Sequence, residues 1–168
     1  MELELRPWVL KDATSLTENI NNIQIWNNVR DRLPFPYTRE DADFFIASVR
    51  GKSEPITNLA IVINGNAVGG IGFTVGEDVN RISAEVGYWL GEEYWGKGIM
   101  TEALSRGVDY AYNKLPQITR LFAEVFENNI ASMKVLEKVG FEKEAILKKA
   151  IIKNNIIMDL HLYGLVRK

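Results

Sequence analysis

The chain has 168 residues, 46% of them apolar, 10% aromatic and 25% charged, the proportions of an ordinary soluble globular domain, and at this length one fold buries about 70% of the surface its unfolded chain exposes. It has no cysteine and one histidine, which excludes disulfide scaffolds, zinc knuckles, thiol nucleophiles and multi-histidine metal sites, while carboxylate-bound metals stay open. Its 20 Lys and Arg against 22 Asp and Glu leave a net charge of -2, which argues against nucleic acid as a bulk electrostatic partner.

The chain opens Met1 Glu2 Leu3 Glu4 Leu5 Arg6, an alternating strand pattern without the basic start and apolar run of a secretory signal, so a cytoplasmic protein is expected. No later stretch approaches the roughly 18 uninterrupted apolar residues of a membrane span, and no membrane partner is expected. Asp12 stands where it can cap a helix through Ala13, Leu16 and Ile20. Ile23, Ile25 and Trp26 then sit among four asparagines, which weaken a helix and favour short turns. Pro34 and Pro36 make residues 32–37 a loop. Thr38, with Asp41 three residues on, marks a helix start; Phe44, Phe45 and Val49 form its expected apolar face and Gly51 its end. The period then becomes that of sheet. Apolar runs at 58–63 and 67–75 flank Asn64 Gly65 Asn66, a hairpin signal. Residues 82–90 add a strand that the turn-rich residues 77–80 keep antiparallel. Ile99, Met100, Ala103, Leu104, Gly107, Val108, Ala111 and Tyr112 fall on one helical stripe. A strand at 121–126, a helix at 130–139 and closing strands at about 142–152 and 155–166 follow. Gly140 suits the left-handed position past that helix, with Phe141 packing back on Leu136. The expectation is one mixed α/β domain (α+β) over residues 1–168, antiparallel at first, then strand, helix, strand, helix, strand.

The densest chemistry lies in Tyr94 Trp95 Gly96 Lys97 Gly98 Ile99 Met100 Thr101, between a strand and the long helix. Two glycines at a helix start bare backbone N–H groups at the positive end of the dipole, which suits a phosphate or pyrophosphate, and Lys97 adds a cation. The same glycines can also serve a purely steric end. The stretch is not a Walker loop, since no Gly Lys Ser/Thr follows four residues after a first glycine, nor the dinucleotide fingerprint, since the third glycine is missing.

Some 30 residues on comes Asn128 Asn129 Ile130 Ala131 Ser132 Met133 Lys134 Val135 Leu136 Glu137 Lys138 Val139 Gly140 Phe141. Together the two stretches resemble the acyl-CoA-binding motifs of the GNAT N-acetyltransferases, and within them the branch of ribosomal-protein N-terminal acetyltransferases that includes RimJ and RimL. Leu5 Arg6, residues 69–72, Glu85 Val86 Gly87 Tyr88 Trp89 and residues 159–165 extend the likeness over nearly the whole chain. It implies a mixed, mostly antiparallel central sheet with helices on both faces, acetyl-CoA as co-substrate without a metal, and a protein N-terminal or small-molecule amine as acceptor. A homodimer is common in that branch.

The family's loop pattern is Arg or Gln, two residues, Gly, one residue, then Gly or Ala; here Trp95, Gly98 and Met100 hold those places, so two of the three depart. The resemblance implies that the amides of Gly96, Lys97, Gly98, Ile99, Met100 and Thr101 bind the pyrophosphate, which makes Trp95 tolerable, while the Met100 side chain must turn into the core. It also assigns backbone pairing with the pantetheine arm to Tyr88, Trp89 and Leu90, and the pantetheine itself to Asn129. Catalysis needs an amine that loses its proton and a thiolate that leaves. The resemblance offers Glu85 as base, acting through a water, and Ser132 as the group that bonds the departing sulfur. Glu85 can equally be a solvated strand residue, and Asn129 and Ser132 can equally be a helix cap and first-turn residue. Tyr163, which could sit near the thioester, reads rather as core or sheet surface, and His161 reads as a satisfied strand residue rather than a base. Trp26, Phe35 and Tyr37 fit either an acceptor entrance or a satellite apolar cluster. A covalent acyl-enzyme is not expected, since no cysteine is present and Ser132 has no evident histidine partner. Acetyltransfer to polyamine or antibiotic amines and a silent acyl-CoA-binding module are the competing readings.

Overall fold

The computed structural model describes residues 2–168; Met1, where the N-terminal alternation begins, lies outside the described residues. Seven strands form one mixed, mostly antiparallel sheet in the order β1-β2-β3-β4-β5-β7-β6. The chain divides into two compact units, one of residues up to Gly72 with 88–103, the other of 73–87 with 104–168.

In the first unit, β1 (Leu3–Pro7) pairs antiparallel with β2 (Asn58–Ile63), and β2 with β3 (Asn66–Val75). Asn64 and Gly65 turn between β2 and β3 with φ of 48° and 84°, the two left-handed residues that let a tight hairpin follow the strand twist. Over this sheet lie α1 (Ala13–Ile20), α2 (Ile23–Trp26) and α3 (Arg39–Val49), and Trp8, Leu16, Ile20, Ile25, Tyr37, Ile46 and Val62 share a buried cluster. Thr38 and Asp41 form the expected reciprocal cap: Thr38 Oγ1 accepts from Asp41 N at 3.2 Å and the Asp41 carboxylate accepts from Thr38 N at 2.8 Å.

Two expectations need correction here. Asp12 does not cap α1 through its side chain. A 3-10 turn at Leu10–Asp12 intervenes, and the Asp12 carboxylate instead accepts from both Arg6 guanidinium nitrogens at 2.7 and 2.9 Å and from Val9 N at 3.0 Å. Phe44 is not part of the α3 apolar face; it is 78% exposed, whereas Ala42 and Ile46 are buried. Two positions from each of these, Phe44 is turned about 200° away on a helix of 3.6 residues per turn. Phe45 holds the inner face, edge-on to Trp8 with ring centres 5.5 Å apart.

The strand β4 (Ser83–Leu90) pairs in parallel with β5 (Arg120–Phe126) through Ser83, Ala84 and Glu85, all six partners in the second unit, and β5 pairs antiparallel with β7 (Ile156–Val166). The helix α4 (Ile99–Lys114) carries the expected stripe, with Ile99, Met100, Ala103, Leu104, Val108 and Ala111 buried. The helix α5 (Ile130–Val139) ends on Gly140 at φ 106°, and Phe141 N returns to Leu136 O at 3.0 Å, the left-handed stop that the sequence announces. At the end of the strand order β6 (Glu142–Lys153) pairs antiparallel with β7. Leu147 pairs with Leu160 and Ile151 with Met158, so Lys148, Lys149 and Ala150 bulge opposite the single Asp159. Lys149 adopts φ 50°, and the Asp159 carboxylate holds it by accepting from Lys149 N and Lys148 Nζ, each at 2.9 Å.

Candidate functional site

In the first unit, the path from β4 to α4 is tightly specified. Gly91 N donates to Val68 O at 2.8 Å, after which Tyr94 N and Trp95 N close a 3-10 turn on Gly91 O and Glu92 O, each at 3.0 Å. The Trp95 indole N–H folds back onto Leu90 O at 2.7 Å, although the residue stays 43% exposed. Gly96 and Gly98 follow at φ 70° and 75°. A Cβ on either would meet no atom within 4 Å, so these glycines answer a conformational demand, not a packing one. The space beside them lies at the start of a 16-residue helix, where the first-turn N–H groups have no acceptor inside the helix and the dipole favours an anion. Lys97 stands with Nζ 5.7 Å from the Tyr94 ring centre. Thr101 is half-buried, while Ile99 and Met100 are buried. Met100 therefore lies inward, as its departure from the family's loop pattern requires. The cradle fits a pyrophosphate.

Next to the loop, Gly91 N bonds Val68 O, and the Trp89 carbonyl lies against β3, where a Cβ on Gly69 would come 2.6 Å from it. The Trp89 indole lies on Gly70, where a Cβ would come 2.8 Å from Nε1 and 3.2 Å from Trp8. Peptide groups alternate in direction along a strand, which turns those of Tyr88 and Leu90 to the other edge. Leu90 O already accepts the Trp95 indole there. Of the three residues expected to pair with a pantetheine arm, Trp89 is turned towards β3.

In the second unit, Glu85 is half-buried at the last pair of the β4/β5 ladder, opposite Phe122. Asn129 caps α5, its Oδ1 accepting from Ser132 N at 3.2 Å, and both residues are half-buried. The capping role is thus real. Tyr163 is fully buried, as a core residue should be, and donates to Glu137 at 3.0 Å. Burial, with the Glu137 bond and charge, pushes its hydroxyl up to about 12. His161 departs from the expectation of a satisfied strand residue: its Nδ1 is buried without a hydrogen-bond partner.

The aromatic loop divides. Tyr37 is core, its hydroxyl pushed up to about 12 by burial and by the charge of Asp41. Phe35 is 41% exposed and tilts against Trp26, with ring centres 5.8 Å apart. Among the described residues, no group of three or more His, Asp or Glu could hold a metal, and no helix is long and apolar enough to cross a membrane.

A strand, a left-handed glycine pair and a long helix, followed by an Asn-capped helix with serine in its first turn, are the parts on which the sequence resemblance rested. The family described as the acetyltransferase (GNAT) domain matches residues 2–142. The chain belongs to the GNAT acetyltransferases. It is 46% identical over 77 residues to the probable N-acetyltransferase YjcK of Bacillus subtilis, covering 46% of this chain and 42% of that one. To the ribosomal-protein-serine acetyltransferase of Escherichia coli it is 33% identical over 97 residues, covering 58% and 53%. The matched segments thus span about half the length of these curated GNAT relatives. The crystal structure of the Microcin C7 self immunity acetyltransferase MccE, in complex with acetyl-CoA and AMP, superposes with a TM-score of 0.83 at 27% identity, covering 99% of this chain and 93% of that one.

Proposed function

We propose that the chain moves an acetyl group from acetyl-CoA to a primary amine by direct attack in a ternary complex. The observation that carries this reading is the pair of left-handed glycines with open space beside them at the start of α4, in a chain whose family is the GNAT acetyltransferases. The MccE complex with acetyl-CoA supports the choice of co-substrate. Acetyl-CoA supplies an acyl thioester.

The chain's own groups then divide the work. Amides of residues 96–101 hold the pyrophosphate, with Lys97 adding charge. The segment Tyr88, Trp89 and Leu90 runs beside the pantetheine arm, and Asn129 holds the same arm through its amide nitrogen. Glu85, through a water, takes the proton that the amine loses. The Ser132 hydroxyl bonds the departing sulfur and returns a proton to it. Alignment contributes most, because an oriented amine no longer has to find the thioester from solution. The acceptor is a protein N-terminal or a small-molecule amine; the name of the Escherichia coli relative, ribosomal-protein-serine acetyltransferase, favours a protein, and an array of N-terminal peptides, polyamines and aminoglycosides separates the two.

The deciding measurement is the melting shift with CoA, acetyl-CoA and NAD. At a hundredfold excess over Kd, binding adds about 2.7 kcal/mol of stability. Shifts with both CoA forms and none with NAD are expected; no shift with any overturns the acyl-CoA reading and favours a protein-interaction module. Ser132→Ala is expected to lower turnover at least tenfold with CoA affinity little changed, and Glu85→Gln to lower turnover likewise. An unchanged rate removes that residue from the mechanism.

A further inference from the structure

The corner between α1 and α2 is rich in asparagine, a poor choice for helix and a good one for bridging, since each amide offers both donor and acceptor. In the first unit its side chains reach two loops that are distant in sequence. Asn22 Oδ1 caps α2 by accepting from Gln24 N at 2.7 Å, and its Nδ2 donates to Glu92 at 2.5 Å across 70 positions of chain. Asn21 Oδ1 accepts from Tyr37 N at 2.9 Å. Asn19 is anchored by its own bond to Ser15 O at 2.8 Å, and its side-chain carbonyl fills the space that a Cβ on Gly91 would need.

Each contact lands at a controlling point. Gly91 and Glu92 supply the carbonyls that close the turn before Gly96, so whatever fixes them fixes the entry to the glycine loop. Tyr37 ends the proline loop just before the Thr38 cap of α3. The beginning of that loop is held as well, because Trp26, at the end of the helix that Asn22 caps, donates its indole N–H to Leu33 O at 2.9 Å. A helix cap requires only the Asn22 oxygen; the bond from its nitrogen to Glu92 is additional, and it ties the capped helix to the glycine loop.

We propose that the asparagine corner at residues 19–22 couples the glycine loop to the proline loop at residues 33–38, with Asn22 and Glu92 as positioning residues. In this proposal the proline loop is the acceptor entrance, and filling the glycine loop with the CoA pyrophosphate stiffens the segment that carries Phe35, so that the entrance is prepared only when the acyl donor is bound. The inference rests on the acetyl-CoA reading above. The coupling is a free energy shared between two loops, so it acts in both directions, and an acceptor that orders the proline loop tightens CoA in return.

Hydrogen exchange on the intact protein, with and without saturating CoA, tests it. In the wild type CoA is expected to slow exchange at residues 91–101 and, at least threefold, at residues 33–38. Glu92→Ala, a change at an exposed residue, should still bind CoA but lose the slowing at 33–38, while Glu92→Gln keeps an oxygen for Asn22 and should restore it. With an amine substrate, Glu92→Ala should raise the acceptor KM at least threefold with kcat within twofold. If CoA raises the melting temperature of the wild type yet leaves 33–38 unprotected, or if the protection survives in Glu92→Ala, the coupling is overturned and the acetyl-CoA reading stands. A wild type that CoA does not stabilise overturns both.

Discussion

A carboxylate that is 2% exposed must have its charge matched, and Asp12 meets the requirement with Arg6 and Val9 N. Burial pushes the carboxyl upward, but the Arg6 hydrogen bonds, the Val9 bond and the Arg6 charge outweigh it and hold the group below the ordinary 3.8. The sign follows from linkage: a depressed folded value means that the pair's contribution is complete above about pH 3.8 and is lost as pH falls below it. Asp12→Asn is therefore expected to cost about 3 kcal/mol at pH 7 and to shrink the stability difference between pH 5 and pH 2, as urea unfolding would show. His161 presents the opposite case. Its buried Nδ1 has no partner, so His161→Leu removes an unsatisfied atom and should raise stability by about 1 kcal/mol; a lower melting temperature would mean that the imidazole is held by something else.

Among the elements, the glycine loop invites a controlled comparison. Gly51 and Gly98 share nearly the same φ, 71° and 75°, and a Cβ on either meets open space. Alanine should cost each about 1 to 2 kcal/mol through the left-handed backbone alone. Only Gly98→Ala should also weaken CoA, by tenfold or more, since Gly51 follows α3 and has no part in the phosphate loop; equal CoA affinities would deny the loop its role. A similar comparison separates the cap that Asn129 forms from the pantetheine contact proposed for it. Asn129→Asp keeps an oxygen for Ser132 N and hence the helix, but loses the amide nitrogen; Asn129→Ala loses both and about 1 kcal/mol of stability besides. If the two variants bind CoA as tightly as the wild type, Asn129 is a cap only.

At the scale of the whole chain, what could be read from the sequence was what neighbours in sequence decide. The Thr38 and Asp41 cap, the Asn64 Gly65 turn and the Gly140 stop each need only a few consecutive residues, and all three stand as expected. Asp12 was misread because its partner Arg6 sits in β1, beyond the reach of a capping rule. Phe44 was misplaced because an apolar residue on a helix does not declare which side faces inward. The glycine loop could be found by its composition, but its open surroundings could not, and the bond from Asn22 to Glu92 crosses 70 positions that no local signal spans. The order of the last two strands was equally hidden, for two adjacent apolar runs do not reveal which lies inside.

That order has a cost for the protein in solution. With β6 at the rim of the sheet and Ile146, Leu147, Ile152, Ile156 and Ile157 exposed on its hairpin, the chain carries the makings of a template on which further strands could grow. The bulge at Lys148, Lys149 and Ala150 interrupts that template, and the Asp159 carboxylate keeps the bulge in place. By holding the bulge, Asp159 works against strand addition at this rim. Asp159→Leu should leave a straighter, less charged rim and a protein whose light scattering rises with time and concentration, where the wild type stays clear.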